Sequence, residues 1–164
     1  MVDGIEKSAA VPESDDPVAV RRAPWHLWAV GVLSALWNLT GVTDYTLSHL
    51  RNRAWLQGGA EQMGITVETM IAYIDGSPAW SHAFWALGVW GALLGSILLL
   101  MRRRYAVWAF AISLLGLAVT QFYRAFTPQP EWAQGDSSFN LLLWSIATFL
   151  LIYAVSMKNK GLLR

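Results

Sequence analysis

The sequence predicts an all-α membrane protein that crosses the bilayer four times, and two observations lead to this fold class. Four mostly apolar stretches occupy residues 25–47, 79–101, 105–126 and 139–157 of the 164-residue chain, and clustered basic residues lie at alternate ends of them. A helix rises about 1.5 Å per residue and a hydrocarbon core is about 30 Å thick, so each stretch is long enough for one span. Helices also satisfy their own backbone polar groups in lipid, and the sequence lacks the alternating pattern of a membrane β-barrel.

The basic residues also predict the orientation of the spans. They precede the first stretch, separate the second from the third and follow the fourth, at Arg21, Arg22, Arg102, Arg103, Arg104, Lys158, Lys160 and Arg164. Positively charged residues concentrate on the cytoplasmic side of membrane proteins. We therefore expect both termini in the cytoplasm and the loops 48–78 and 127–138 outside. Arg51 and Arg53 weaken the asymmetry slightly, because they lie in the first outer loop.

The polar ends of the chain are expected to lie in the cytoplasm. Residues 1–24 are rich in Asp, Glu, Ser and Pro, so they cannot bury enough apolar surface to offset the entropy of ordering the chain. We interpret them as a flexible tail and residues 158–164 as a short basic end. The polar segment before the first apolar stretch is longer than the charged start of a signal peptide, so we expect the first span to remain in the mature protein.

The first outer loop contains a predicted amphipathic helix at about residues 60–75. Its apolar side chains recur at helical spacing, at Met63, Val67, Met70, Ile71 and Ile74. Such a helix lies on the membrane surface, caps the bundle or acts as a lid over an outward-facing cavity. The second outer loop is short and polar, which is typical of a connector.

Small residues on the second and third spans predict a close helix contact. Gly91 and Gly95 have the small-xxx-small spacing that lets two backbones approach, and Gly88 shares their face. Ser113 and Gly116 form a comparable line on the third span. These residues either pack inside the bundle or form an interface with a second copy or with a larger membrane complex. Such assemblies and the lipid bilayer are the partners that the sequence suggests.

Polar side chains near the outer ends of the spans form the candidate site. Counting from the predicted span ends places six of them at one depth, namely Asn38, Asp44, His82, Gln121, Arg124 and Asn140. A charge in the membrane costs several kcal/mol unless it finds water or a partner, and an ion pair between Asp44 and Arg124 is the most economical solution. These polar side chains either hold neighbouring helices together or line a shallow site for a polar solute. A span boundary misplaced by one turn would instead leave Asp44 in water.

Composition and motifs exclude several function classes. The formal net charge of +1 and the lack of a basic block argue against nucleic-acid binding. The chain has no Cys, which rules out disulfides, thiolate nucleophiles and Cys-ligated metals. It also lacks a Ser-His-Asp arrangement, a P-loop, an HExxH motif and a Rossmann fingerprint. We therefore predict no enzymatic activity, no metal site and no cofactor. A haem held by His49 and His82 is a remaining alternative, although His49 lies in a polar turn.

Much of the chain resembles a known family, over about residues 36–124. The resemblance rests on short motifs, namely Leu36-Trp37-Asn38, Gly41-Val42, Asp44-Tyr45, Arg51-Asn52, Ala72-Tyr73-Ile74-Asp75, Pro78-Ala79-Trp80, the run Trp85 to Gly91 and Leu94-Gly95-Ser96. They are similar to those of small bacterial four-span proteins that are often labelled sugar transporters. The resemblance implies a multi-pass solute carrier in the bacterial inner membrane.

Two functional hypotheses follow from the sequence. The first is a membrane protein that transports or binds a polar solute, sugar-like by the resemblance, through the outer polar cluster. A four-span chain offers little room for a complete pathway, so transport would require a dimer or a larger assembly. The second is a non-catalytic accessory subunit that packs its glycine face against a larger membrane complex.

Overall fold

The computed structural model describes residues 23–164, and the part of the predicted tail at residues 1–22 lies outside this range. The described residues form six α-helices, one short 3-10 turn and their connections. The helices are α1 (Trp25–His49), α2 (Arg53–Met63), α3 (Val67–Gly76), α4 (Ala79–Leu100), α5 (Ala106–Phe126) and α6 (Ser137–Asn159), and the 3-10 turn is Glu131–Ala133. The all-helical fold class is confirmed for this part of the chain.

Three helical segments of the described chain are long and apolar enough to cross a membrane. They are Ala79–Leu100, Ala106–Phe126 and Glu131–Asn159, the last of which includes α6. At 25 residues α1 is also long enough, but it is not one of the three. Its C-terminal half carries polar residues that lower its apolar character, among them Asn38, Thr40, Thr43 and Asp44.

The helix ends agree with the predicted spans to within about two residues because local chemistry sets them. Pro24 and Pro78 stand immediately before α1 and α4. Proline lacks an N–H group, and this loss costs nothing where a helix begins. The side chain of Asp136 accepts a hydrogen bond from the backbone N–H of Ser138 at 2.9 Å and caps α6.

The single amphipathic helix predicted at residues 60–75 is wrong, since the structure has two helices there. Gly64 ends α2 in the left-handed conformation, with φ +67°. Glycine adopts this conformation without steric cost and commonly ends helices. Thr66 then starts α3, because its hydroxyl accepts a hydrogen bond from the N–H of Thr69 at 3.2 Å. A glycine stop followed at once by a threonine cap breaks the helix.

The four long helices form a bundle in which α4 packs against both α1 and α5, and α6 packs against α5. Buried apolar side chains from these helices meet near one end, including Leu27, Leu99, Phe110, Leu150 and Met157. The chain after α6 turns back and pairs with the connection between α4 and α5. The Arg104 N–H donates to the Arg164 carbonyl at 2.8 Å, and the Arg164 N–H donates to the Arg102 carbonyl at 2.7 Å.

These contacts bring the start of α1, the α4–α5 connection and the C-terminal residues to the same end of the bundle, which we call the basic end. The two long connections meet at the opposite end, which we call the loop end. There the Tyr73 hydroxyl donates to Gln129 Oε1, and the rings of Tyr73 and Trp132 lie 5.1 Å apart. Arg51 pairs with Asp75 and Arg53 with Glu68, so the arginines of the first loop are neutralised locally.

Candidate functional site

A cavity of about 430 Å³ lies between α1, α4, α5 and α6. Phe110 and Leu150, which also belong to the buried core, form its deep end. Arg124 and Phe139 line it near the loop end. The lining part of α5 runs from Phe110 to Arg124, so the cavity extends along roughly 21 Å of helix axis at 1.5 Å per residue. This volume is within the range of small-molecule sites in proteins.

The close packing of α4 on α5 builds one wall of the cavity. A Cβ atom added at Gly116 would lie 2.6 Å from the backbone nitrogen of Gly88 and 2.6 Å from the Phe84 carbonyl oxygen. At Gly91 it would lie 3.3 Å from the Ala109 carbonyl oxygen. The Ser113 hydroxyl donates to the Gly88 carbonyl at 2.6 Å. Only residues without large side chains permit such an approach.

The small residues predicted as a packing face or partner interface are therefore used inside this chain. Gly88, Gly91, Gly95, Ser113 and Gly116 all lie between α4 and α5.

Asn38 links two walls of the cavity, because it lies on α1 and donates hydrogen bonds to α4. Its side-chain amide donates to the Ala92 carbonyl at 3.2 Å and to the Ser96 hydroxyl oxygen at 3.0 Å. The Ser96 hydroxyl in turn donates to the Ala92 carbonyl at 3.0 Å. Asn38 and Ala92 both line the cavity. The same asparagine thus fixes the distance between two helices and contributes to the cavity surface.

The part of the cavity near the loop end carries most of its polarity. Gln121 Nε2 donates to Asn140 Oδ1 at 2.7 Å and links α5 to α6. Arg124 Nη2 donates to the Ala133 carbonyl oxygen at 2.7 Å. Within residues 23–164 the ion pairs are those of Arg51 and Arg53, so no carboxylate of the described chain pairs with Arg124.

Four of the six polar residues that the sequence singled out lie at or beside the cavity, but not at the one depth predicted, because Asn38 bonds to Ser96 toward the deep end. Asn38, Gln121 and Arg124 line the cavity, and Asn140 is hydrogen-bonded to Gln121. The expected Asp44–Arg124 pair is wrong, because Asp44 Oδ1 accepts a hydrogen bond from Trp55 Nε1 at 3.1 Å instead. Helix α2 begins just after α1 and presents this indole locally, whereas Arg124 bonds within the second loop. Asp44 is exposed and does not line the cavity.

His82 also lies apart from the cavity, in an aromatic group with Tyr45, His49 and Trp85. Its Nε2 donates to the Ile74 carbonyl at 3.0 Å, while its Nδ1 is buried without a hydrogen-bond partner. The rings of His49 and His82 lie 5.0 Å apart and meet edge to face. Axial haem ligands stand on opposite faces of the macrocycle, so two imidazoles in direct contact do not fit that alternative.

Several cavity residues could not be identified as such from the sequence. Trp37, Trp85, Leu117, Leu143 and Ile146 form much of the apolar wall. An apolar side chain facing a cavity has the same sequence signature as one facing lipid or a neighbouring helix. The polar residues were detectable only because such residues are costly in lipid.

Comparisons with known proteins return no matching family model, no matching curated protein and no matching solved structure.

Proposed function

We propose that this chain is a multi-pass protein of the bacterial inner membrane that binds a small solute in the cavity between α1, α4, α5 and α6. It acts as a carrier, or as the solute-binding part of one, together with a second copy or other subunits. The observation that carries the proposal is the cavity itself, which is elongated, largely apolar and provided with polar groups at one end. A chain that only filled space in a complex would not need such an opening within its own bundle.

The proposal includes α1 as the fourth span. Its 25 residues correspond to about 37 Å of helix, which exceeds the hydrocarbon thickness of about 30 Å. On its outer surface Leu33 and Leu36 are 67% and 59% exposed, as expected for side chains that face lipid. The polar residues of α1 have partners or local bonds, such as those of Asn38 with α4.

In the proposed orientation the basic end faces the cytoplasm and the loop end faces outward. Arg102, Arg103, Arg104, Lys158 and Lys160 lie at the basic end, where the positive-inside rule requires them. The arginines of the first loop do not oppose this orientation strongly, because acidic side chains of the same loop neutralise them. The polar part of the cavity then lies toward the outside.

The accessory-subunit hypothesis has less support from the geometry. It relied on the glycine face of α4, and α5 occupies that face within the chain. The remaining exposed apolar side chains are those expected of any surface in contact with lipid.

A pair of neighbouring α6 variants tests whether the cavity holds a solute. Ala147 lines the cavity, whereas Thr148 is exposed on the outside of the same helix. In native mass spectrometry of the gently solubilised full chain, we expect wild-type protein to retain a small-molecule adduct. Ala147→Phe should lose it because the added ring fills the cavity, and Thr148→Phe should keep it.

Correct insertion of both variants is checked by their yield in the membrane fraction. An adduct that survives Ala147→Phe unchanged, or wild-type protein that carries none and gains none from added solutes, would overturn the proposal.

A further inference from the structure

We propose that the ligand of this cavity is an amphipathic anion, with one apolar chain lying between the helices and an acidic head group bound at Arg124. This inference rests on the proposed function and specifies the class of solute. It differs from the polar, sugar-like solute that the sequence resemblance implies.

The walls of the cavity set the apolar part of the ligand. From the deep end outward they consist mainly of aromatic and aliphatic side chains, namely Phe110, Leu150, Ile146, Leu143, Val89 and Trp85. Burying an apolar chain against such walls is favourable by roughly 25 cal/mol per Å². A sugar would instead leave its hydroxyl groups against apolar walls without hydrogen bonds, at a cost of about 1–3 kcal/mol for each unsatisfied group.

Most polar side chains in the lining already use their donors within the protein. The Ser113 hydroxyl donates to the Gly88 carbonyl and the Thr120 hydroxyl to the Gly116 carbonyl. The Asn38 amide is bonded to α4, and the Gln121 amide donates to Asn140. These groups therefore offer few donors to the several hydroxyls of a sugar.

Arg124 is the exception among the lining residues. A guanidinium carries five N–H donors and a permanent positive charge, and the bond to the Ala133 carbonyl engages only part of this capacity. No carboxylate of residues 23–164 neutralises it. A guanidinium at the loop end of an apolar cavity, with no carboxylate of residues 23–164 paired to it, is complementary to an anionic head group, which it can bind through two parallel hydrogen bonds.

The inference is tested with a photoactivatable diazirine derivative of dodecanoic acid. The full chain is reconstituted in lipid nanodiscs, illuminated with the probe and mapped by peptide mass spectrometry. We expect crosslinks on the lining segments of α5 and α6, competed by unlabelled dodecanoate. Dodecanol, which has the same chain without the charge, should compete at least tenfold less well, and glucose should not compete.

Matched arginine variants locate the head group. Arg124→Gln should weaken competition by dodecanoate at least tenfold, and Arg124→Lys should restore part of it. Arg103→Gln removes the same charge at the basic end, where Arg103 does not line the cavity, and should change nothing. Equal competition by dodecanoate and dodecanol, or an unchanged result with Arg124→Gln, would overturn the inference.

Two further results separate the sources of failure. A diazirine phospholipid that labels the cavity as efficiently as the acid would show that Arg124 serves bilayer head groups, and would also overturn the inference. If crosslinks in the cavity vanish with Ala147→Phe but do not depend on Arg124, the proposed function stands and the ligand class fails. If no probe labels the cavity, the ligand class fails, and the native mass spectrometry of Ala147→Phe decides whether the proposed function stands.

Discussion

Asn38 shows how one polar side chain can serve both the packing and the surface of the cavity. It donates two hydrogen bonds from α1 to α4, to the Ala92 carbonyl and to the Ser96 hydroxyl. If α1 crosses the bilayer as proposed, no water is present to replace these bonds, although measured interhelical hydrogen bonds in membranes average only about 0.6 kcal/mol. The two hydrogen bonds of Asn38 therefore fix the position of α1 relative to α4 more than they stabilise the fold.

Substitutions of Asn38 separate the loss of a donor from the introduction of a charge. Asn38→Leu should lower the free energy of unfolding by about 1 kcal/mol, because it removes both donated bonds but keeps the volume. Asn38→Asp should cost more, since a carboxylate would face two acceptor oxygens. Denaturation in mixed detergent micelles measures both values.

Thr43→Val is the control on the same helix, because the Thr43 hydroxyl bonds only to the Leu39 carbonyl of its own helix. It should change the stability little. Equal stabilities of the Leu and Asp variants would contradict the assigned donor role of Asn38.

For single residues, the sequence identified the polar side chains around the cavity better than it identified their hydrogen-bond partners. Asn38, Gln121, Arg124 and Asn140 were identified from their polarity and predicted depth, and all four lie at or beside the cavity. The predicted common depth does not hold for Asn38, which bonds to Ser96 toward the deep end. The partner of Asp44 was wrong because the counting considered only long helices. Trp55 comes from a short helix in the loop, and its approach to Asp44 depends on a turn that depth counting cannot place.

The α4–α5 pair is the tightest contact between elements, and it determines the shape of one cavity wall. Its small residues allow the backbones to touch, so Ser113 can bond directly to a carbonyl of the facing helix. The sequence predicted this pair well because small-xxx-small spacing has a direct geometric meaning. The break between α2 and α3 was missed, since apolar spacing continues across Gly64 although the backbone changes direction there.

Two glycines of this contact should respond differently to alanine. Gly116→Ala places a Cβ atom 2.6 Å from backbone atoms of α4, so the helices must shift, and we expect a loss of about 1–3 kcal/mol in stability. At Gly88 the nearest atom to an added Cβ is the Leu117 nitrogen at 3.5 Å, an ordinary contact. Gly88→Ala should stay within about 0.5 kcal/mol of wild type, as substitutions away from strained features usually do.

Thermal denaturation in one detergent compares the two variants directly. The reverse order of stability would show that α4 and α5 do not pack as described.

For the whole molecule, length and hydropathy predicted the bundle because the bilayer sets the length of a spanning helix. The number of spans does not follow from length alone, since α1 combines sufficient length with several polar residues in its C-terminal half. If α1 crosses the bilayer, the residues before it lie on the cytoplasmic side with the basic end. If it lies along the surface, they lie on the same side as the first loop.

Single cysteines distinguish these topologies, because the chain has no cysteine of its own. We expect Gly76→Cys, at the C-terminal end of α3, to react with a membrane-impermeant maleimide in intact cells. Ala23→Cys and Lys160→Cys should react only after permeabilisation, because both would lie at the cytoplasmic basic end. Labelling of Ala23→Cys together with Gly76→Cys in intact cells would place α1 outside the bilayer. The cavity would then lose its proposed outward orientation, since one of its four walls would no longer cross the membrane.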